Sequence, residues 1–361
     1  MTAARNDDSQ ELTIAVLPGD GIGPEVMDAA IAVLQRLQQC LPDLKLQLRP
    51  CAAGAAEYLR SGSALPTATL QACHDADAVL LAAMGLPHVR QPDGREVTPQ
   101  IDLREHFQLY QGIRPVYLYH ALDSPLKQAQ PGDIDLLILR ENTEGLFHSR
   151  GRRIAPEAET VDDILRVTRV GSERLFHAAF QLARQRRHHV TLVDKANVLP
   201  SMVRFRQYFD QVAQLYPDVQ TDRMYVDAAA LHLVRRPQSF DVLVTENMFG
   251  DILSDLAAAL VGGMGMAPSA DVGAEVAVFQ PCHGTAPDIA GQGIANPLAM
   301  ILSLGLMLDW LQTPACRAAA GLLRKAIPLA LQDPQIRTPD LGGTCSTQQM
   351  TDAVLASLNA D

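Results

Sequence analysis

Residues 78–83 read AVLLAA, and residues 134–139 read IDLLIL. An almost unbroken apolar run of this length suits a strand covered on both faces, because successive side chains point to opposite sides of a sheet. Residues 12–17, 190–193 and 241–244 read the same way. Helical stretches lie between these runs. In residues 24–37 the apolar positions recur every three or four residues, and Pro24 stands where a first helical turn tolerates it. Strands alternating with helices predict an α/β fold whose sheet is buried on both sides. No repeat, low-complexity tract or Gly/Ser linker interrupts the chain, so any domain boundary is a continuous crossing.

The chain has 361 residues, which suggests roughly two domains. Apolar residues make up 47% and charged residues 20%, so a disordered state is excluded as the main one. Thirty Lys and Arg against 41 Asp and Glu give a net charge of −11. Binding to nucleic acid needs clustered cations, and the one basic run, residues 184–189, is expected on a solvated helix end. Residues 298–308 form the longest apolar stretch but contain Ser and Gly and are too short to span a bilayer. No signal peptide is seen, and the polar residues 1–11 are expected to fray. Cys40, Cys51, Cys73, Cys282, Cys316 and Cys345 form no C-x-x-C pair and fit no zinc spacing. Free thiols in a reducing cytoplasm are the expectation, with Cys282 a small buried residue rather than a nucleophile.

Two loops stand out, residues 85–103 and residues 148–159. The first is polar and rich in Pro and Gly, as functional loops often are. Residues 18–24 read PGDGIGP. The spacing is neither the G-x-G-x-x-G of a Rossmann turn nor a Walker A loop, so a strand-to-helix turn needing open backbone angles is the simpler reading. Residues 283–297, HGTAPDIAGQGIANP, are different. They set a His, a Thr, an Asp and an Asn among three glycines. Backbone amides there can approach a pyrophosphate, and Asp288 can accept from a ribose diol.

Asp251 and Asp255 are four residues apart in ENMFGDILSD and share one helix face. Two such carboxylates repel unless a cation sits between them, and hard oxygens suit Mg²⁺ or Mn²⁺. Asp227 lies in an Ala-rich apolar run, where it either caps a helix or binds something. Arg104 and Arg114 are ten residues apart, and Arg140 and Lys195 follow directly on predicted strands. Strand ends carry the ligand sites of open α/β sheets, and arginines bind carboxylates bidentately. The set points to a small di- or tricarboxylic acid held by arginines and a divalent metal.

The segments LPGDGIGPEV, LRENTEGLF, DKANVL, YVDAAALHLV, TENMFGDILSDLAAALVGGMGMAPSA and HGTAPDIAGQGIANP resemble the β-decarboxylating dehydrogenases. That family includes isopropylmalate, isocitrate, homoisocitrate, tartrate and D-malate dehydrogenases, and the likeness runs in order from about Leu12 to Leu311. It implies a two-domain, non-Rossmann α/β fold with the active site in the interdomain cleft. The cofactor domain would join residues 1–109 with 262–361. The dimerisation domain would be 110–261, with an arm near 145–165. It also implies a cytoplasmic homodimer with shared sites, in which Lys195 and Asp227 serve the partner's centre. By the same resemblance Arg104, Arg114 and Arg140 hold the substrate carboxylates. Asp227, Asp251 and Asp255 bind Mg²⁺ or Mn²⁺, and Lys195 and Asp227 are catalytic. His283, Gly284, Asp288, Ile289 and Asn296 bind the dinucleotide. The Asp288-Ile289 pair resembles NAD enzymes, and a carboxylate there would repel a 2′-phosphate, so NAD is expected. The implied reaction oxidises a 2-hydroxy acid and then releases CO₂.

Two departures accompany the resemblance. Members carry a Tyr seven residues after the Arg of the REN motif, as the acid that protonates the enolate. This chain has Phe147 there. Either His148, Lys195 or a water at the metal replaces it, or decarboxylation is impaired, or the protein only binds. The specificity loop before Arg104 reads VTPQIDL. Thr98 and Gln100 suit a hydroxyl or carboxylate, whereas Val97 and Ile101 suit an alkyl group. The Glu144-Gly145 pair leans toward tartrate and homoisocitrate enzymes, but an isopropylmalate-type activity, the commonest in the family, is named first.

Overall fold

The computed structural model describes residues 11–155 and 157–358. The expected fraying of residues 1–10 falls outside the described residues. Ten strands form one sheet: β1 (Leu12–Gly19), β2 (Leu46–Pro50), β3 (Ala78–Ala83), β4 (Gln111–Tyr117), β5 (Asp135–Glu141), β6 (His189–Asp194), β7 (Gln220–Tyr225), β8 (Val242–Thr245), β9 (Pro268–Val272) and β10 (Ala277–Pro281). Their spatial order is β2-β1-β3-β10-β9-β4-β5-β8-β6-β7. Both ends are parallel, and the run β10-β9-β4-β5 at the middle is antiparallel. The five apolar runs picked from the sequence are β1, β3, β5, β6 and β8, each within two residues of its observed bounds.

The helices are α1 (Gly23–Cys40), α2 (Ala55–Ser61), α3 (Thr67–Asp75), α4 (Pro99–His106), α5 (Arg169–Arg184), α6 (Pro200–Ala213), α7 (Val226–Arg235), α8 (Asn247–Ala259), α9 (Leu298–Leu311), α10 (Pro314–Ala330) and α11 (Thr347–Ser357). They cover both faces of the sheet. On one half, Ile14, Val16 and Leu80 face α1, α9 and α10, whereas Ala15, Leu17, Val79 and Leu81 face Cys73 of α3 and Leu103 of α4. On the other half, Leu137, Leu139 and Leu192 pack on Phe176, Phe180, Phe205 and Phe209 of α5 and α6. Ile138, Val193 and Leu243 pack on α7 and α8. The alternation of neighbours along β5 is the period-two geometry of a strand, so a continuous apolar run feeds two cores.

Three expectations change in detail. The loop of residues 85–103 ends at Thr98, because α4 begins with Pro99. Proline is favoured there because a first turn needs no donor at that position. Strands β2, β4, β7, β9 and β10 were not legible. β4 carries Pro115, which a central strand rejects, but its pairing with β9 stops at Ile113, so Pro115 leaves no bond unmade on that side. The basic run begins at the end of α5 but is largely paired: Arg186 binds Asp135 and the buried Asp241. No helix among the described residues is long and apolar enough to cross a membrane.

Candidate active site

The antiparallel middle of the sheet brings its strand ends to one cleft of about 220 Å³. Arg104 reaches it from α4, Arg114 from β4 and Arg140 from β5. All three guanidinium groups are buried, which requires countercharge. Asp271 on β9, 1% exposed, supplies it to Arg104 and Arg114. Its Oδ2 accepts from Arg104 Nε at 2.8 Å and from Gln280 Nε2 at 2.5 Å. Its Oδ1 accepts from Asn142 Nδ2 at 2.7 Å and from Arg114 Nη2 at 3.4 Å. Burial would push this carboxyl up, but Arg104 and Arg114 outweigh it and hold the group below the usual carboxylate range. Asp271 was missed by sequence reasoning. It lies 167 residues from Arg104, and the only local signal was an acid within the short run PSADV.

Arg140 donates from Nε and Nη2 to Asn247 Oδ1 at 2.9 and 2.7 Å, and from Nη1 to Asp251. Its guanidinium lies 5.1 Å from the centre of the Phe147 ring. Burial, and then Arg104 nearby, push its pKa down to about 10, so it stays charged at neutral pH. Phe147 lines the cleft. His148 does not: it is exposed, with Nδ1 3.4 Å from Arg166 Nη1. In this chain the neighbouring histidine lies outside the cleft.

Asp251 and Asp255 both face the cleft from α8, as their spacing predicted. Burial, and then Asp251 itself, push the Asp255 carboxyl up. A hard divalent cation between the two carboxylates would relieve that repulsion, so the donor set fits Mg²⁺ or Mn²⁺. Asp227 is elsewhere in the chain. It takes a hydrogen bond from Lys195 Nζ at 2.5 Å, which holds its carboxyl below the usual range. Neither Lys195 nor Asp227 lines the cleft. Among the described residues of one chain, no three His, Cys, Asp or Glu side chains are gathered in metal-binding reach.

His283 and Gly284 line the same cleft. His283 Nδ1 donates to Gly284 O at 2.8 Å, leaving a lone pair on Nε2, which is buried with no partner. A Cβ on Gly284 would meet nothing within 4 Å, so its backbone is open to a ligand. Asp288 is exposed and Ile289 half-buried beyond it. Ala286 sits at φ +36°, a conformation costly for a residue with a Cβ and typical of binding loops. These features fit a dinucleotide. Asn296, the fifth residue expected to bind the dinucleotide, is held within the fold. It is buried, its Nδ2 donates to Asp340 Oδ2 at 3.0 Å, and its Oδ1 accepts from Leu298 N at 3.0 Å.

The first glycine loop is structural, as read. Ile22 N donates to Thr285 O at 2.8 Å, and the Asp20 carboxylate accepts from Ala55, Ala56 and Gly85 amides. The loop thus props the segment that carries His283. In the specificity loop, Gln100 and Ile101 line the cleft, but Thr98 and Val97 do not. Thr98 Oγ1 accepts from Arg150 Nη2 at 2.9 Å, and Val97 is buried with Ala55 and Val89. The start of α4 at Pro99 separates the two pairs.

A cationic floor, two facing carboxylates and an open glycine loop with an unpaired imidazole nitrogen thus share one cleft. The family profile described as isocitrate/isopropylmalate dehydrogenase matches residues 13–354. A 3-isopropylmalate dehydrogenase of Moorella thermoacetica is 44% identical over 91% of this chain and 92% of its own length. One from Albidiferax ferrireducens is 44% identical over 94% and 97%. Among solved structures, an isocitrate dehydrogenase from Methylococcus capsulatus superposes with a TM-score of 0.87 at 36% identity, covering 97% of this chain and all of that one. A β-decarboxylating dehydrogenase from Thermococcus kodakarensis gives 0.80 at 33% identity, with 96% of each covered.

Proposed function

The chain belongs to the isocitrate/isopropylmalate dehydrogenase family, and from that membership we propose NAD- and divalent-metal-dependent oxidative decarboxylation of a 3-substituted malate. The observation that carries the reading is the meeting of His283 and Gly284 with Arg104, Arg114, Arg140, Asp251 and Asp255 in one cleft. The curated relatives make 3-isopropylmalate the first substrate to test. When bound, the metal supplies Lewis acidity at the 2-hydroxyl and NAD⁺ the hydride acceptor.

The chain's own residues bind and orient. Asp271 fixes Arg104 and Arg114, whose side chains line the cleft where the acid would dock. Asp251 and Asp255 hold the metal, and His283, Gly284, Asp288 and Ile289 hold the dinucleotide. The reading includes a homodimer in which the partner's Lys195 takes the hydroxyl proton and the partner's Asp227 completes the metal set. Its support is that Lys195 and Asp227 miss their own cleft, and that α7 and α8 expose Leu231 and Ile252, 53% and 59% accessible. The reading also divides the chain into two domains, 1–109 with 262–361 and 110–261, which would meet where β9 pairs with β4.

Phe147 favours a second reading, oxidation with impaired decarboxylation, because its ring has no proton for the enolate. The test is NADH and CO₂ production with Mn²⁺ over 3-isopropylmalate, D-malate, tartrates, isocitrate and homoisocitrate, for the wild type and Phe147→Tyr. Equal NADH and CO₂ from the wild type support full decarboxylation. NADH in excess, corrected by Phe147→Tyr, supports the second reading. No NADH from any acid rejects both.

A further inference from the structure

Arg104 and Arg114 rest on the carboxylate of Asp271. Arg140 rests on an amide. It lies near the end of β5, in register with Thr245 of β8, and α8 begins just after that partner. The first residue of α8 is Asn247, which is fully buried. Its Oδ1 accepts from Arg140 Nε and Nη2 at 2.9 and 2.7 Å, and its Nδ2 donates to Glu144 O at 2.9 Å. The packing is close on both sides. A Cβ on Gly250 would come 2.6 Å from Arg140 Cβ, and one on Gly145 would come 2.8 Å from Asn247 Cβ. Asn247 itself does not line the cleft, whereas Arg140 does.

We propose that Asn247 is the positioning residue for Arg140, a neutral anchor that orients the guanidinium and leaves its charge free for a carboxylate of the acid. The inference rests on the dehydrogenase reading above and adds to it a residue behind the cleft. The two partners of the amide fix which way it turns. A guanidinium only donates and a carbonyl only accepts, so reversing the amide would break all three bonds. An aspartate at this position would set an oxygen against Glu144 O, and an alanine would serve neither partner. Neutrality matters as well. A carboxylate beneath Arg140 would fix it and also neutralise it, whereas an amide oxygen fixes it without a countercharge. The carboxylate that Arg140 does touch, Asp251, is given to the metal in the reading above.

The experiment is steady-state kinetics of the wild type, Asn247→Ala and Asn247→Asp with NAD⁺ and Mn²⁺, with thermal melting followed in parallel. The substrate is whichever acid of the panel above the wild type turns over best. For Asn247→Ala we expect the KM for the acid to rise at least about tenfold while the KM for NAD⁺ moves less than about twofold, because a small misplacement of a binding group is costly. Asn247→Asp keeps the size and an acceptor for Arg140 but adds a negative charge, and it should raise the acid KM as well. A merely structural role would lower the melting temperature and the amount of active enzyme and leave the acid KM in place. An unchanged acid KM in either variant, or equal rises for acid and NAD⁺, overturns the proposal. Should Asn247→Ala not fold, Asn247→Asp decides by the same two constants, and if neither folds the proposal fails. If the wild type yields no NADH from any acid, the dehydrogenase reading fails. Calorimetric binding of 3-isopropylmalate with Mn²⁺ then tests the anchor separately: binding weakened by the same factor in Asn247→Ala supports it, and equal or absent binding overturns it.

Discussion

A buried carboxylate is tolerated only where charges and donors surround it, and Asp271 meets that condition with Arg104, Arg114, Asn142 and Gln280. Asp271→Asn would leave two buried arginines without their shared countercharge. We expect a loss of about 3–5 kcal/mol in urea denaturation, with a KM for the acid raised at least about tenfold. A loss below about 1 kcal/mol would mean that the arginines are held in some other way. Glu141 is the matching case without a cation. Burial pushes its carboxyl up to about 7, against hydrogen bonds from Thr143 and Glu144 that pull it down. A raised carboxyl binds its proton better in the folded state, so the fold is penalised as pH climbs from the ordinary value of 4.5 through 7. Glu141→Gln has no proton to lose. Its thermal stability should gain on the wild type by up to about 3 kcal/mol between pH 5 and pH 8. Parallel pH curves for the two proteins would count against this.

At the level of elements, the turn between β1 and α1 shows a glycine motif that supports a neighbouring loop. Gly21 has φ +59°, and a Cβ there would lie 2.0 Å from Thr285 O. Gly21→Ala must therefore strain the turn and push away the segment that carries His283 and Gly284. We expect a loss of at least about 2 kcal/mol and a KM for NAD⁺ that rises more than the KM for the acid. Equal effects on both would show that the disturbance is not directed at the cofactor loop. Much of this was legible, since the spacing of Gly19, Gly21 and Gly23 spoke against a nucleotide loop and for a turn. The faces of α4 were not legible. Thr98 and Gln100 are both polar residues near Arg104, and only the start of the helix at Pro99 separates the one that binds Arg150 from the one that lines the cleft.

Across the whole molecule, one sheet joins two groups of cores through a short pairing of β9 with β4, residues 270–272 against 111–113. Asp271 stands within that pairing, so the contact that joins the halves also organises the arginines. The outer faces of α7 and α8 expose Leu231, Val234 and Ile252, whereas their inner faces bury Leu233 and Leu253. A second copy is the proposed cover. The double variant Leu231→Glu, Ile252→Glu would place charges in that interface. It should sediment as a monomer and lose nearly all turnover, because Lys195 and Asp227 do not reach their own cleft. An active monomer would remove the shared-site proposal.

The sequence by itself determined the strands with continuous apolar runs, the helical pairing of Asp251 with Asp255 and the family. These depend on local periodicity and on motifs of contiguous residues, which the chain displays without folding. It could not show Asp271 beneath the arginines, the burial of Asn296 or the outward turn of His148. The antiparallel strands that bear Arg114 and Asp271 are short and mixed in polarity, and their partners lie far along the chain. Only the packed sheet set those groups together, because a buried charge acquires its role from neighbours that burial selects, not from residues beside it in sequence.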